Sequence, residues 1–318
     1  MKRNRQWGVA IITALLVVML AASIAAFLLA QQSQALTRTA RATERAQAAL
    51  YAAPTIDWAR AALFQLQKST SRVDLGQQWA QGLAAIPIDG AMAAGALRDD
   101  GGLFNLNNLA KNGVGSPPDI ALFRALLAAL KLNPDLADAV ADWIDADEEP
   151  SGAGGAENST YLSLPNPYRA ANRNLLQVDE LNRVRGFDDA IVNRLRPFVT
   201  ALPIRMPVNI NTAPQEVLAA LFPTLTVDDI AALAKQRLVK PFANKAAITE
   251  YWKKFPTAII DDTVDATSQY FSVTIAIDHA GARIRQSALL QRNVAIGINA
   301  GTGTEVSKWP SIIWVKTD

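Results

Sequence analysis

The chain has 318 residues, no cysteine, a single histidine and a formal net charge of +2. The absence of cysteine excludes disulfides and thiolate metal sites, and a lone histidine with no nucleophile motif beside it argues against Ser–His–Asp chemistry. Taking away the three basic residues of the extreme N-terminus leaves −1, so there is no global basic field to draw the chain to nucleic acid. The length suits one elongated domain or two.

Gln6 to Thr37 is a run of 32 residues without a charge, directly behind Met1-Lys2-Arg3-Asn4-Arg5. Its apolar part, Val9 to Ala30, has 22 residues. As a helix it spans about 33 Å, enough to cross a bilayer. Lys2, Arg3 and Arg5 lie on one flank, so the positive-inside bias keeps the N-terminus cytoplasmic and sends the rest across. Three readings stand for this segment alone. It is a cleaved secretory signal with Ser33-Gln34-Ala35 as the cleavage site, a permanent anchor, or a prepilin-type leader cut after Gly8. The apolar part exceeds the roughly 7–15 residues of secretory signals, which counts against the first.

From Gln31 to Lys68 the helical pattern continues without glycine, and Pro54 is expected to bend or break it. Residues 69–115 are poor in helix signals; within them Gly102-Leu103-Phe104-Asn105-Leu106-Asn107-Asn108-Leu109 predicts a strand leading into a short helix. Ser116-Pro117-Pro118-Asp119 opens a helix to Lys131, and Asn133 can cap the next, to about Ile144. Val178–Arg183 and Asp188–Pro197 form a pair around Arg185-Gly186-Phe187. Thr212-Ala213-Pro214-Gln215 reads as a capping box before Glu216–Leu221, and Thr226 opens a last helix to about Leu238. The period then changes. Tyr270–Ile277 and Ala282–Gln291 read as strands around a turn holding His279; a glycine-rich loop, Gly297 to Gly303, precedes a final strand, Ser311–Lys316. Helix first, sheet last and a helical block between them make an α+β chain with an insertion.

Asp142, Asp145, Asp147, Glu148, Glu149 and Glu157 fall within sixteen residues, at the end of a helix and across Pro150-Ser151-Gly152-Ala153-Gly154-Gly155. Carboxylates this dense repel one another, and the helix C-terminus disfavours them further. A bound cation relieves both problems, and oxygen-only donors on a glycine loop favour calcium. The spacing is not that of an EF-hand, since Pro150 replaces its glycine and Ala156 its twelfth-position glutamate. The expected ligands are a subset of Asp142, Asp145, Asp147 and Glu157; a solvated acidic loop is the alternative. Val208-Asn209-Ile210-Asn211-Thr212-Ala213-Pro214 and Leu181–Asp188 look like helix–hairpin–helix modules, which offer backbone amides to phosphate. With Lys235, Arg237, Lys240, Lys245, Lys253 and Lys254 they keep open a second function, a membrane-anchored DNA-binding protein of DNA uptake. Against it, Phe222–Thr226 lacks a hairpin glycine, and Asp188 and Asp189 would repel phosphate. An ordinary signal-anchored periplasmic scaffold is a third possibility.

The order of these pieces resembles the general secretion pathway protein K family, the large minor pseudopilins of type II secretion systems. The residues that carry it are Gly8, the Gly102–Asn107 segment, Asp142-Trp143-Ile144-Asp145-Ala146-Asp147, Asp179 to Phe187 and Val208–Pro214. The resemblance implies a pilin-like fold, with a long, partly transmembrane N-terminal helix packed on an antiparallel sheet and a large inserted helical domain. Its divisions fall at 1–8 for the leader, 9–30 for the membrane part, 31–110 and 265–318 for the pilin-like domain, and 111–264 for the insertion. It implies calcium sites, cleavage by prepilin peptidase between Gly8 and Val9, and a place in the inner membrane with the bulk periplasmic. It also implies partnership with the smaller minor pseudopilins I and J at a pseudopilus tip, priming a filament for export of folded proteins, with no enzymatic activity. Major pilins carry glutamate at mature position five; counting from Val9 that position is Thr13, which suits a topmost subunit with nothing ahead of it.

Overall fold

In a computed structural model, residues 6–254, 263–292 and 309–317 are described. The glycine-rich loop and Met1–Arg5 lie outside them. Helix α1 (Gln6–Leu50) carries the apolar run and α2 (Ala52–Ser69) follows almost directly. The break falls at Tyr51. Pro54 has no N–H for the Leu50 carbonyl and its ring crowds the preceding turn, and α1 closes on a tighter turn in which Tyr51 N donates to Ala48 O at 3.2 Å.

Residues 69–115 hold more strand than their composition announces. They contain β1 (Leu83–Ile88) and β2 (Ala91–Asp99), a hairpin closed by Asp89 and Gly90 with φ of 45° and 84°. Two central residues with positive φ are what a tight two-residue turn demands. After the insertion come β3 (Tyr270–His279), β4 (Ala282–Gln291) and β5 (Ser311–Thr317). The five strands pair antiparallel in the order β1-β2-β3-β4-β5. Asp99, the last residue of β2, stands opposite Phe271. The insertion therefore leaves and rejoins the sheet at neighbouring points of adjacent strands, and the sheet closes without it.

One face of α2, Ala52, Ile56, Ala59, Leu63 and Leu66, follows helical spacing and buries against Leu97, Phe271, Val273, Ile275, Ala288 and Leu290. Each fully buried leucine or isoleucine contributes roughly 1.5–3 kcal/mol. Helix α1 meets the sheet only through its last turns. Ala48 buries among Ala91, Ala93 and Ile277, and the His279 Nε2 lies 3.2 Å from Gln47 Oε1 at the tip of the β3–β4 hairpin. Residues 10–43 of α1 are exposed throughout.

The insertion has its own core, drawing on Phe104 through Ala266, so the divisions at 111 and 264 fall inside it. Its helices are α3 (Pro117–Ala129), α4 (Leu136–Ile144), α5 (Asn158–Tyr161), α6 (Asp189–Leu195), α7 (Gln215–Leu221), α8 (Val227–Val239) and α9 (Lys245–Trp252). The segment Phe104–Asn105 is a strand and Leu106–Leu109 a 3-10 turn, and Val178–Arg183 is also 3-10. The sequence pattern announces neither α5 nor α9, and α8 starts at the expected Thr226, which forms a capping box with Asp229. The capping box at Thr212 is not formed. Pro214 occupies the cap, and the Thr212 hydroxyl donates to Asp99 at 2.6 Å instead.

That bond belongs to a buried polar joint between insertion and sheet. Asp99, at 4 % exposure, also accepts from Gly101 N, Asn209 Nδ2 and Ser268 Oγ. Asn209 donates as well to Val73 O, and Asn211 exchanges two bonds with the backbone of Phe242. The motif that looks like a DNA-binding hairpin thus turns its polar side chains inward. Arg237 of the basic patch is buried too, donating to Ile210 O at 2.6 Å, and burial lowers it to about 10.

Candidate cation site on the acidic loop

Helix α4 is buried along its whole length, carboxylates included. Asp138 and Asp142 stand one turn apart on one face, and the glycine loop folds back to satisfy them. Asp138 receives Arg124 and the Gly154 N–H. Asp142 receives the Ser151 and Ala156 N–H groups at 3.1 and 2.8 Å, and the Ser151 hydroxyl. The approach is close: a Cβ on Gly155 would lie 2.6 Å from Asp142 Oδ2. Glycine here is a requirement of contact.

The helix ends at Asp145, whose backbone is extended while its N–H bonds Ala141 O. From there the chain places Asp145, Asp147 and Glu157 together, with one carboxylate oxygen of each within 4.8 Å of the others. Asp145 is 5 % and Glu157 1 % exposed, while Asp147 is open to solvent. Asp145 Oδ1 and both Glu157 oxygens are buried without a hydrogen-bond partner. Burial, and then Asp147 and Asp142 beside it, pushes Asp145 up to about 7. Burial likewise pushes Glu157 up to about 7, with Asp142 and Asp145 adding to it and the neighbouring Asn158 amide acting the other way. Asp142 is raised by burial against its three donors.

Of the four expected ligands, three converge and Asp142 is engaged by the loop. Glu148 accepts from Asn158 Nδ2 and Glu149 is exposed. Asp138 and Arg124 were not singled out beforehand; an acid one turn before Asp142, followed by a glycine loop, was the available signal. Three converging carboxylates with orphaned buried oxygens fit a hard divalent cation.

At the other end of the molecule, Gly8, Val9 and Thr13 all lie in α1. The Thr13 hydroxyl donates to Ala10 O at 3.0 Å, as a hydroxyl in an apolar helix does. Among the described residues, one helix is long and apolar enough to cross a bilayer, the one that starts the chain.

Two family models described as type II secretion system protein K match residues 102–204 and 208–273. The type II secretion system protein K of Pseudomonas aeruginosa is 38 % identical over 231 residues, 69 % of each chain. That of Aeromonas hydrophila is 32 % identical over 310 residues, 91 % of this chain and 94 % of its own. A chain in the crystal structure of the GspK–GspI–GspJ complex from the enterotoxigenic Escherichia coli type 2 secretion system superposes with a TM-score of 0.70. It is 27 % identical, and the match covers 88 % of this chain and 99 % of that one. With its exposed apolar helix, its sheet and an insertion spanned by both models, the chain belongs to the type II secretion system protein K family.

Proposed function

We propose that the protein is a minor pseudopilin that caps a pseudopilus tip, in complex with two smaller minor pseudopilins of the I and J kinds, and primes filament assembly. The observation that carries this is the exposure of α1 over residues 10–43, against a sheet that covers only its last turns. An apolar helix left bare needs lipid first and neighbouring helices afterwards. The solved relative is named for a complex with GspI and GspJ, which supports the choice of partners. Leader removal by prepilin peptidase between Gly8 and Val9 leaves the apolar segment attached to a chain whose bulk is periplasmic. The role is passive and structural, since energy for secretion comes from elsewhere.

Asp145, Asp147 and Glu157 would hold calcium, with a charge that offsets their repulsion and ties the end of α4 to the start of α5. Co-expression with I-type and J-type minor pseudopilins tests the assembly: the expected result is a stable ternary complex extracted from membranes. Deletion of the gene should stop secretion and pseudopilus assembly, and unchanged secretion would refute the proposal.

A further inference from the structure

The cation reading leaves open how three carboxylates are held together before an ion arrives. We infer that Asp142 is a positioning residue that fixes Glu157 in the site by clamping the glycine loop, and is not itself a ligand. This rests on the cation reading of the preceding subsection.

The geometry separates the two tasks. Asp142 is fully buried and lies on α4 one turn before Asp145. Its Oδ1 accepts the Ser151 hydroxyl, and its Oδ2 accepts the Ser151 and Ala156 N–H groups. Three donors from the protein leave that carboxylate well supplied, in contrast to Glu157, whose two oxygens have none. Ala156 is the residue directly before Glu157. The bond from Ala156 N to Asp142 therefore sets where the backbone delivers Glu157 relative to Asp145. Asp138 supports the same loop through Gly154 N, and is itself held by Arg124. The loop closes on donors that point into carboxylates, so its shape is set before any cation enters. Such outer partners of a metal site typically govern affinity by about 10–100-fold.

Substituting Asp142→Asn keeps the volume but turns an amide donor toward groups that already donate. Gly155→Ala keeps every carboxylate and pushes a methyl against the Ser151 backbone and Asp142 Oδ2, the two sides of the clamp. The full-length chain in detergent micelles is titrated with calcium, and then with terbium, whose emission lifetimes in light and heavy water count the waters on the ion. Asp142→Asn and Gly155→Ala should each bind calcium about tenfold or more weakly with unchanged stoichiometry. Terbium in both should carry the same number of waters as in the parent. Glu157→Gln should instead add water to the bound terbium. Added water in Asp142→Asn would make Asp142 a ligand, and unchanged affinity in both variants would remove its positioning role; either overturns the inference. Ser151→Ala, which deletes one donor and no carboxylate, covers the case where the others do not fold. A modest loss of affinity is expected there, and none would count against the clamp. If the parent chain binds neither ion, the cation reading itself falls and this inference falls with it.

Discussion

The pilin-like part and the insertion are stabilised in different ways. In the first, a helix face of period 3.6 meets strands of period 2, and the contact is apolar throughout, from Ala52 to Leu66 on α2 and from Leu97 to Leu290 on the sheet. The insertion has an apolar core as well, but its irregular segments are held by side-chain amides. Asn107 spans Leu175 and Leu202, taking the Leu175 N–H and donating to both carbonyls. Asn105 and Asn108 do the same for Leu202, Ile204 and Met206. Asn209 and Asp99 join the two parts. A domain of short helices leaves many backbone groups outside regular ladders, and buried asparagines supply partners that a sheet supplies to itself.

The largest loss of stability is expected in the pilin-like core. Leu63→Ala deletes a fully buried side chain against the sheet and should cost about 2–5 kcal/mol in urea unfolding of the full-length chain. Asn107→Ala removes three bonds and strands buried backbone groups of the insertion, for about 1–3 kcal/mol. Should Asn107→Ala prove neutral, the polar half of the contrast is wrong. A third effect concerns the acidic loop. Asp145 and Glu157 sit at about 7 in the folded chain, above the ordinary carboxylate value of about 4. Below about 4 both folded and unfolded chains hold the protons; as pH rises to about 7 the unfolded chain releases them first, so stability falls. In chelator the melting temperature should therefore drop by a few degrees between pH 5 and 8, at about 2–4 °C per kcal/mol, and calcium should cancel that drop. The smallest effect is expected at Thr226→Ala, where an exposed capping box is lost for about 1 kcal/mol.

Much of the apolar architecture was legible in the residues. Periodicity marked α1, α2, β3 and β4, the Ser116-Pro117-Pro118-Asp119 punctuation marked α3, and proline marked the break between α1 and α2. The β1–β2 hairpin was not, because both strands are rich in alanine, Pro87 interrupts β1 and β2 has no β-branched residue. Only the Asp89-Gly90 pair signalled the turn. Helix α9 begins after Asn244 without an acid in its first turn, and Lys245 with Lys253 and Lys254 just beyond the helix reads as a charge patch. At the acidic loop, the density of carboxylates singled out the stretch in which Asp145, Asp147 and Glu157 lie together. Which of them the glycine loop would satisfy depended on Ser151 and Ala156 folding back onto α4, a contact no spacing rule encodes. The asparagines of Phe104–Leu109 and Val208–Thr212 were visible as motifs, while their partners 31 to 136 residues away were not.

N-terminal sequencing of the full-length chain recovered from membranes after co-expression with prepilin peptidase tests the pseudopilin assignment most directly. The expected result is a single new terminus at Val9, with the apolar helix retained. A terminus still at Met1, or one beyond Ala35 with the apolar helix gone, would contradict it.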